Sequence, residues 1–193
     1  MLESGSVRLR PLARSDRRAW HEVRRRNQAW LRRWDATSPP GSPGRPRTFG
    51  AMVRSMQRGA RAGSQLPFAL EVDGVFAGQV TVNNIVRGSA QFASVGYWID
   101  QRYAGRGVMP RGVALVIDHC LGPVGLHRVE ISIRPENTAS LRVMEKLGIE
   151  EYGFAPSFLH IDGQWRDHRL FAITREQAGR GVLHRLDSSH QSQ

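Results

Sequence analysis

Apolar and polar positions change period several times along this chain. Residues 6–12, SVRLRPL, alternate and predict a short strand. Residues 13–34 place Trp20, Val23, Trp30, Leu31 and Trp34 at helical spacings and predict one or two helices. The stretch DATSPPGSPGRPR, 35–47, is rich in Pro, Gly and Ser and predicts a loop. Beyond it Phe49, Met52, Val53 and Met56 share one helical face, and a Gly-rich stop follows.

From Leu66 the period becomes two. Asp73-Gly74 lies between two apolar runs, a strong short-range hairpin signal, and Asp162-Gly163 repeats it near the end. AQFASVGYWID, 90–100, predicts another strand, followed by a helix over about 107–121 and a strand in LHRVEISIRP. NTASLRVMEKLG predicts a short helix with Asn137 as N-cap and Gly148 past its end. After Thr174 the periodicity fades. The expectation is one domain over 1–175 and a frayed or disordered tail over 176–193. The class is α/β (α+β): a mixed, mostly antiparallel sheet with flanking helices. The strand–helix–strand unit over 94–134 should set two strands side by side in parallel.

Composition narrows the class. At 193 residues, 40% hydrophobic and 23% charged, the chain suits one globular domain. No apolar run nears the roughly 18 residues of a membrane span, and residues 1–16 lack an apolar signal core, so a cytoplasmic protein without a membrane role is expected. The single cysteine, Cys120, excludes an internal disulfide and a cysteine-based metal cluster, and its place in a helical apolar pattern suggests a buried, inert thiol. His160 and His168 flank a predicted hairpin turn, and packing suits them better than metal ligation; no metal site is expected. The net charge of +11 is uneven: residues 1–66 hold 15 Arg against 4 acidic residues, and the remainder is neutral. A basic N-terminal third suggests a polyanionic partner.

The candidate chemistry begins at DQRYAGRGV, 100–108, where a strand turns into a helix. Glycines there let backbone N–H groups converge on one point, and a helix start favours an anion. Pro110 suits the first helical turn, where its missing N–H costs little. The stretch is not a P-loop, because no Lys-Ser/Thr follows Gly107, and not a dinucleotide fingerprint, because position 110 is Pro. A tight turn without a ligand satisfies the same spacing.

RYAGRG, Arg102 to Gly107, resembles the signature of the GNAT acetyltransferases. GYWI before it, then PENTAS, MEKLG and IDGQWRDH, resemble the RimJ/RimL branch in matching order, as does QAWLRRWDAT on the substrate side. The resemblance covers roughly residues 6–175 and implies the GNAT acyl-CoA N-acyltransferase fold with acetyl-CoA as donor. It implies that Arg102, Gly105, Arg106, Gly107 and Val108 hold the pyrophosphate, with Arg111 one turn on either reaching a phosphate or standing as a solvated charge. By the same resemblance Asn137 contacts the pantetheine and Ser140 protonates the departing thiolate. Backbone N–H groups near Tyr97, Trp98 and Ile99 would pair with the pantetheine arm and polarise the thioester carbonyl, and Gly96 would mark a bulge or close approach. Trp30 and Trp34 line the substrate mouth or pack the helix.

The base departs from the family pattern. Tyr152 stands where many members carry Glu; Glu151 is one residue earlier, which turns a strand side chain to the opposite face. Glu130 is a second candidate, for which a structural role on the sheet fits equally. The expected reaction is direct attack of a protein N-terminal α-amine, that of a ribosomal protein, on acetyl-CoA. Residues 1–66 would face ribosome or RNA, in a monomer or homodimer. The alternatives are acetylation of a small-molecule amine (polyamine or aminoglycoside) and a non-catalytic nucleic-acid-binding module on the same fold.

Overall fold

A computed structural model describes residues 1–42, 44 and 46–188. In chain order the elements are β1 (Leu2–Ser4), β2 (Val7–Pro11), α1 (Arg17–Arg26), α2 (Gln28–Leu31), a 3-10 turn (Arg32–Trp34), α3 (Phe49–Arg61), β3 (Leu66–Val72), β4 (Val75–Val86) and β5 (Phe92–Ile99). A second 3-10 turn (Gln101–Tyr103) leads to α4 (Val108–Leu121), β6 (Arg128–Ile133), α5 (Thr138–Leu147), β7 (Glu151–Ile161), β8 (Gln164–Thr174), α6 (Arg175–Ala178) and α7 (Val182–Ser188). The eight strands form one sheet in the order β1-β2-β3-β4-β5-β6-β8-β7.

Turn chemistry sets much of this register. Asp73 and Gly74 have φ of 49° and 77°, and Asp162 and Gly163 have 48° and 78°. Two consecutive left-handed residues match the twist of the hairpins they close, β3–β4 and β7–β8. All neighbouring strands pair antiparallel except β5 and β6, the pair joined through α4. Gly96, expected at a bulge or a close approach, instead faces Thr81 in regular register, with Asn83 Nδ2 no nearer than 3.9 Å to where a Cβ would stand; the irregularity lies between Asn83 and Val86, where Asn84 takes φ 51°.

Two apolar cores flank the sheet. α1 and α3 cover one face through Leu12, Val23, Phe49, Val53, Ala69 and Phe76. The larger core lies under α4 and α5 on the other. α4 is apolar almost all round, with Val113, Ala114, Val116, Ile117 and Cys120 fully buried. Such a helix must be covered on every side. The sheet covers one side, and α5 and α7 cover the others through Val143, Leu147, Val182 and Leu183. The tail expectation is corrected here: residues 175–178 and 182–188 are helical, and Ala178, Val182, Leu183 and Leu186 pack on the larger core, because α4 needs that cover. Residues 189–193 lie outside the described ones. Asp118 fastens α7 by accepting from the Val182 and Leu183 amides at 2.6 and 3.0 Å. Burial pushes the Cys120 thiol up to about 12, which keeps it protonated and unreactive.

Candidate active site

The parallel strands β5 and β6 pair only at Phe92–Arg128, Ala93–Val129 and Ser94–Glu130, and beyond that point they part. β5 continues against β4 as far as Ile99, so its other edge, from Val95 onward, faces an opening. A cleft of about 720 Å³ occupies the split. Tyr97, Trp98 and Ile99 form one wall, Asn137 and Ser140 the opposite one, and Gly105 and Gly107 close one end. Trp30, Leu31, Arg33 and Trp34 form the mouth. Strand alternation brings both cores to the split: Tyr97 and Ile99 pack on the α4 side, Trp98 on the α1 side.

The glycine turn fits an anion. Gly105 and Gly107 have φ of 75° and 77°, a region that side chains strain to enter, and a Cβ on either meets no atom within 4 Å. The space above the turn is therefore open, and Gly107 caps α4, whose first N–H groups lack helical acceptors. Arg102 is exposed outside the cleft wall, and Arg106 lies over the Tyr103 ring at 5.7 Å. Val108 is buried in the larger core, so it serves the turn with its backbone alone. Arg111 bonds Ser4 at 2.6 Å, away from the cleft.

Asn137 caps α5: its Oδ1 accepts from the Ser140 amide at 3.2 Å, which leaves Nδ2 for a ligand. Among the described residues Tyr97 Oη is buried without a hydrogen-bond partner of good geometry, with the Ser140 hydroxyl beside it. Burial pushes its phenol up to about 12, with the Ser140 hydroxyl pulling it back. An orphaned buried donor on a cleft wall, an open-topped glycine turn and an unpaired strand edge together fit a phosphate-bearing ligand with an extended amide arm.

The candidate bases fall elsewhere. Glu130 lies outside the cleft wall and accepts from Arg128 Nε at 2.6 Å; Arg128 in turn lies over the exposed Tyr152 ring at 4.5 Å. Glu151 is bonded to Arg169 at 2.6 and 2.9 Å. The carboxylate on the wall is Glu136, 3.2 Å from Arg134 Nε. Sequence reasoning passed over Glu136, Tyr103, Arg142 and Lys146. The last two were within reach, because Ala139, Arg142, Val143 and Lys146 share one face of α5 and all line the cleft. At the mouth, Arg33 and Arg134 both lie over the Trp34 ring, at 4.4 and 5.2 Å, and Arg134 Nη1 donates to the Arg33 carbonyl at 2.7 Å. His160 Nδ1 is hydrogen-bonded to Thr37 Oγ1 at 2.8 Å, and His168 Nδ1 to the Arg166 carbonyl at 2.9 Å.

Comparison with known proteins agrees with this architecture. Residues 6–150 match the acetyltransferase (GNAT) domain. The structure of Mycobacterium smegmatis RimJ in complex with CoA-disulfide superposes with a TM-score of 0.89 at 36% identity, over 96% of this chain and 90% of that one. The [ribosomal protein uS5]-alanine N-acetyltransferase of Escherichia coli is 31% identical over 167 residues, 82% of this chain and 84% of that protein. The spermidine N(1)-acetyltransferase of Escherichia coli is 27% identical over 179 residues, 92% of this chain and 90% of that protein.

Proposed function

The chain belongs to the acetyltransferase (GNAT) family, and we propose that it acetylates the α-amine at a protein N-terminus, that of a ribosomal protein, in the cytoplasm. Members of the family use acetyl-CoA. When bound, that donor supplies an acyl carbon already activated as a thioester. The split between β5 and β6 carries this reading, because its unpaired edge runs from the acceptor mouth to the glycine turn.

The chain's own residues divide the work. Amides of the Gly105–Val108 turn and the start of α4 hold a pyrophosphate. N–H groups on the open edge of β5, near Tyr97–Ile99, aim at the place where a carbonyl oxygen gains charge. Ser140 Oγ holds a proton for a leaving sulfur. An α-amine titrates near 8, so roughly a fifth is already neutral near pH 7.4, and water suffices to take the proton released after attack. A lysine side chain, near 10.4, would need a strong base.

The electrostatics of the wall count against a polyamine. Its carboxylate, Glu136, is already bonded to Arg134, whereas Arg33, Arg142 and Lys146 also line the cleft. The exposed arginines within residues 1–66 are assigned to RNA in the ribosomal particle.

The test presents purified protein and acetyl-CoA with Ala- and Ser-initiated peptides beside spermidine, read by mass spectrometry. The expected product carries one acetyl group on the peptide α-amine, and Gly107→Glu abolishes both turnover and acetyl-CoA binding. Faster turnover of spermidine would overturn the acceptor assignment. Wild-type protein that does not bind acetyl-CoA in calorimetry would overturn the cleft.

A further inference from the structure

Asn27 stands where the first helical layer breaks. With φ −105° it ends α1, and α2 leaves in a new direction toward the cleft mouth. The residue is 3% exposed, yet its amide is fully used inside the protein. Nδ2 donates to the Val23 carbonyl at 2.8 Å and to Asp100 Oδ1 at 2.9 Å, and Oδ1 accepts from the Gln101 amide at 3.0 Å. Asp100, 1% exposed, closes β5 and opens the glycine turn. Its Oδ1 also accepts from the Arg102 amide at 3.3 Å, and its Oδ2 takes both Nε, at 3.1 Å, and Nη2 of Arg26.

Two segments more than 70 residues apart are thus locked side by side. Immediately after Asn27 the chain supplies Trp30, Leu31 and Arg33 to the mouth; after Asp100 it supplies Gln101, Tyr103 and Gly105 to the other end. Neither Asn27 nor Arg26 touches the cleft. A buried ion pair is a weak source of stability, since apolar packing serves as well. A fully satisfied polar network does something else: it fixes one relative placement of the elements it joins.

We propose that Asn27, Arg26 and Asp100 are positioning residues for acetyl transfer, holding the acceptor mouth and the pyrophosphate turn in one register. The proposal rests on the cleft being an acetyl-CoA site and not on the identity of the acceptor. Disturbing the network from the acceptor side then weakens donor binding at the far end and misaligns the two reactants.

The experiment is calorimetric titration with acetyl-CoA of the wild type, Asn27→Ala, Arg26→Lys and Val53→Ala, well below each melting temperature. It is paired with kcat and KM on an Ala-initiated peptide. Val53, on the inner face of α3, is fully buried in the smaller core and outside the cleft, so its truncation reports on stability alone. Asn27→Ala should weaken acetyl-CoA about tenfold and lower kcat at saturation. Arg26→Lys keeps the charge on a partly exposed side chain and should show a smaller loss in the same direction. Val53→Ala should lower the melting temperature and leave the dissociation constant and kcat unchanged. Wild-type affinity in both network variants, or an equal loss in Val53→Ala, overturns the proposal. No binding to the wild type would instead remove the donor site on which it rests.

Discussion

A single hydroxyl tests the acid side of the chemistry. Tyr97 Oη is buried beside the Ser140 hydroxyl, with no hydrogen-bond partner of good geometry among the described residues. If the phenol were structural, Tyr97→Phe would be neutral or stabilising, because it removes an unsatisfied buried donor. If the phenol orients the Ser140 proton, kcat should fall by about 10–100-fold while acetyl-CoA affinity and the melting temperature hold. Kinetics, calorimetry and thermal unfolding of that one variant separate the two. Glu130→Gln addresses the base. With the carboxylate turned to Arg128, kcat/KM should stay within about twofold; a loss of about 10²-fold or more would return Glu130 to the base role. The sequence could propose these residues but not rank them. RYAGRG and NTAS are local patterns, so Gly105, Gly107, Asn137 and Ser140 are legible as a turn and a cap, and all four reach the cleft. Whether Glu130 faces the cleft depends on where β5 and β6 part, a relation between two strands that neither strand's own pattern encodes.

At the scale of elements, the hairpins, α4 and α5 were readable because their signals are short-range: left-handed Asp-Gly pairs, a glycine start and an Asn cap. β1 was not, since three residues carry no period. α6 and α7 were missed because a short helix held by its neighbour shows little periodicity of its own. The clue lay in α4, apolar on sides that the sheet alone could not cover. Removing the Asp118 carboxylate should therefore loosen the cover: Asp118→Ala leaves the Val182 and Leu183 amides uncapped and should cost roughly 1–2 kcal/mol in denaturant unfolding. An unchanged midpoint would mean that α7 contributes nothing to α4. Asp100 gives an element-scale pH dependence. Burial pushes its carboxyl up, but hydrogen bonds from Arg26, Asn27 and the Arg102 amide outweigh burial and leave it below the ordinary carboxylate value. The folded-state value then lies below the unfolded one of about 3.9, so its contribution is present above about pH 4 and is lost as pH falls through the folded value. Asp100→Asn should be less stable than wild type at pH 7, and the gap should narrow below pH 4. Parallel melting curves down to pH 3 would show that the ion pair adds no net stability.

At the scale of the molecule, charge is sorted by layer. Several N-terminal arginines are paired inside the fold: Arg10 with Asp16 and Glu71, Arg24 with Asp35, Arg26 with Asp100. Others are exposed on the α1–α3 layer: Arg17, Arg18 and Arg25 on α1, and Arg54, Arg58 and Arg61 on α3. The α3 residues follow the spacing of one helical face, and none meets a carboxylate among the described residues. The net +11 already counts those acidic partners, so the excess rests on arginines left without one among the described residues, and six of these stand together on the outer α1–α3 layer. Such a layer binds polyanions by releasing their counterions, so log Kobs should fall linearly with log salt. Each single-strand phosphate that the protein neutralises contributes about 0.7 to that slope. Changing Arg54, Arg58 and Arg61 together to Ser should therefore flatten the slope for a single-stranded RNA probe by about 2. Acetyl-CoA affinity should not move, because α3 does not line the cleft. Filter binding across a potassium chloride series measures the first quantity and calorimetry the second. A wild-type slope near zero would leave the arginine layer without an RNA partner, while the cleft and its chemistry would stand unaffected.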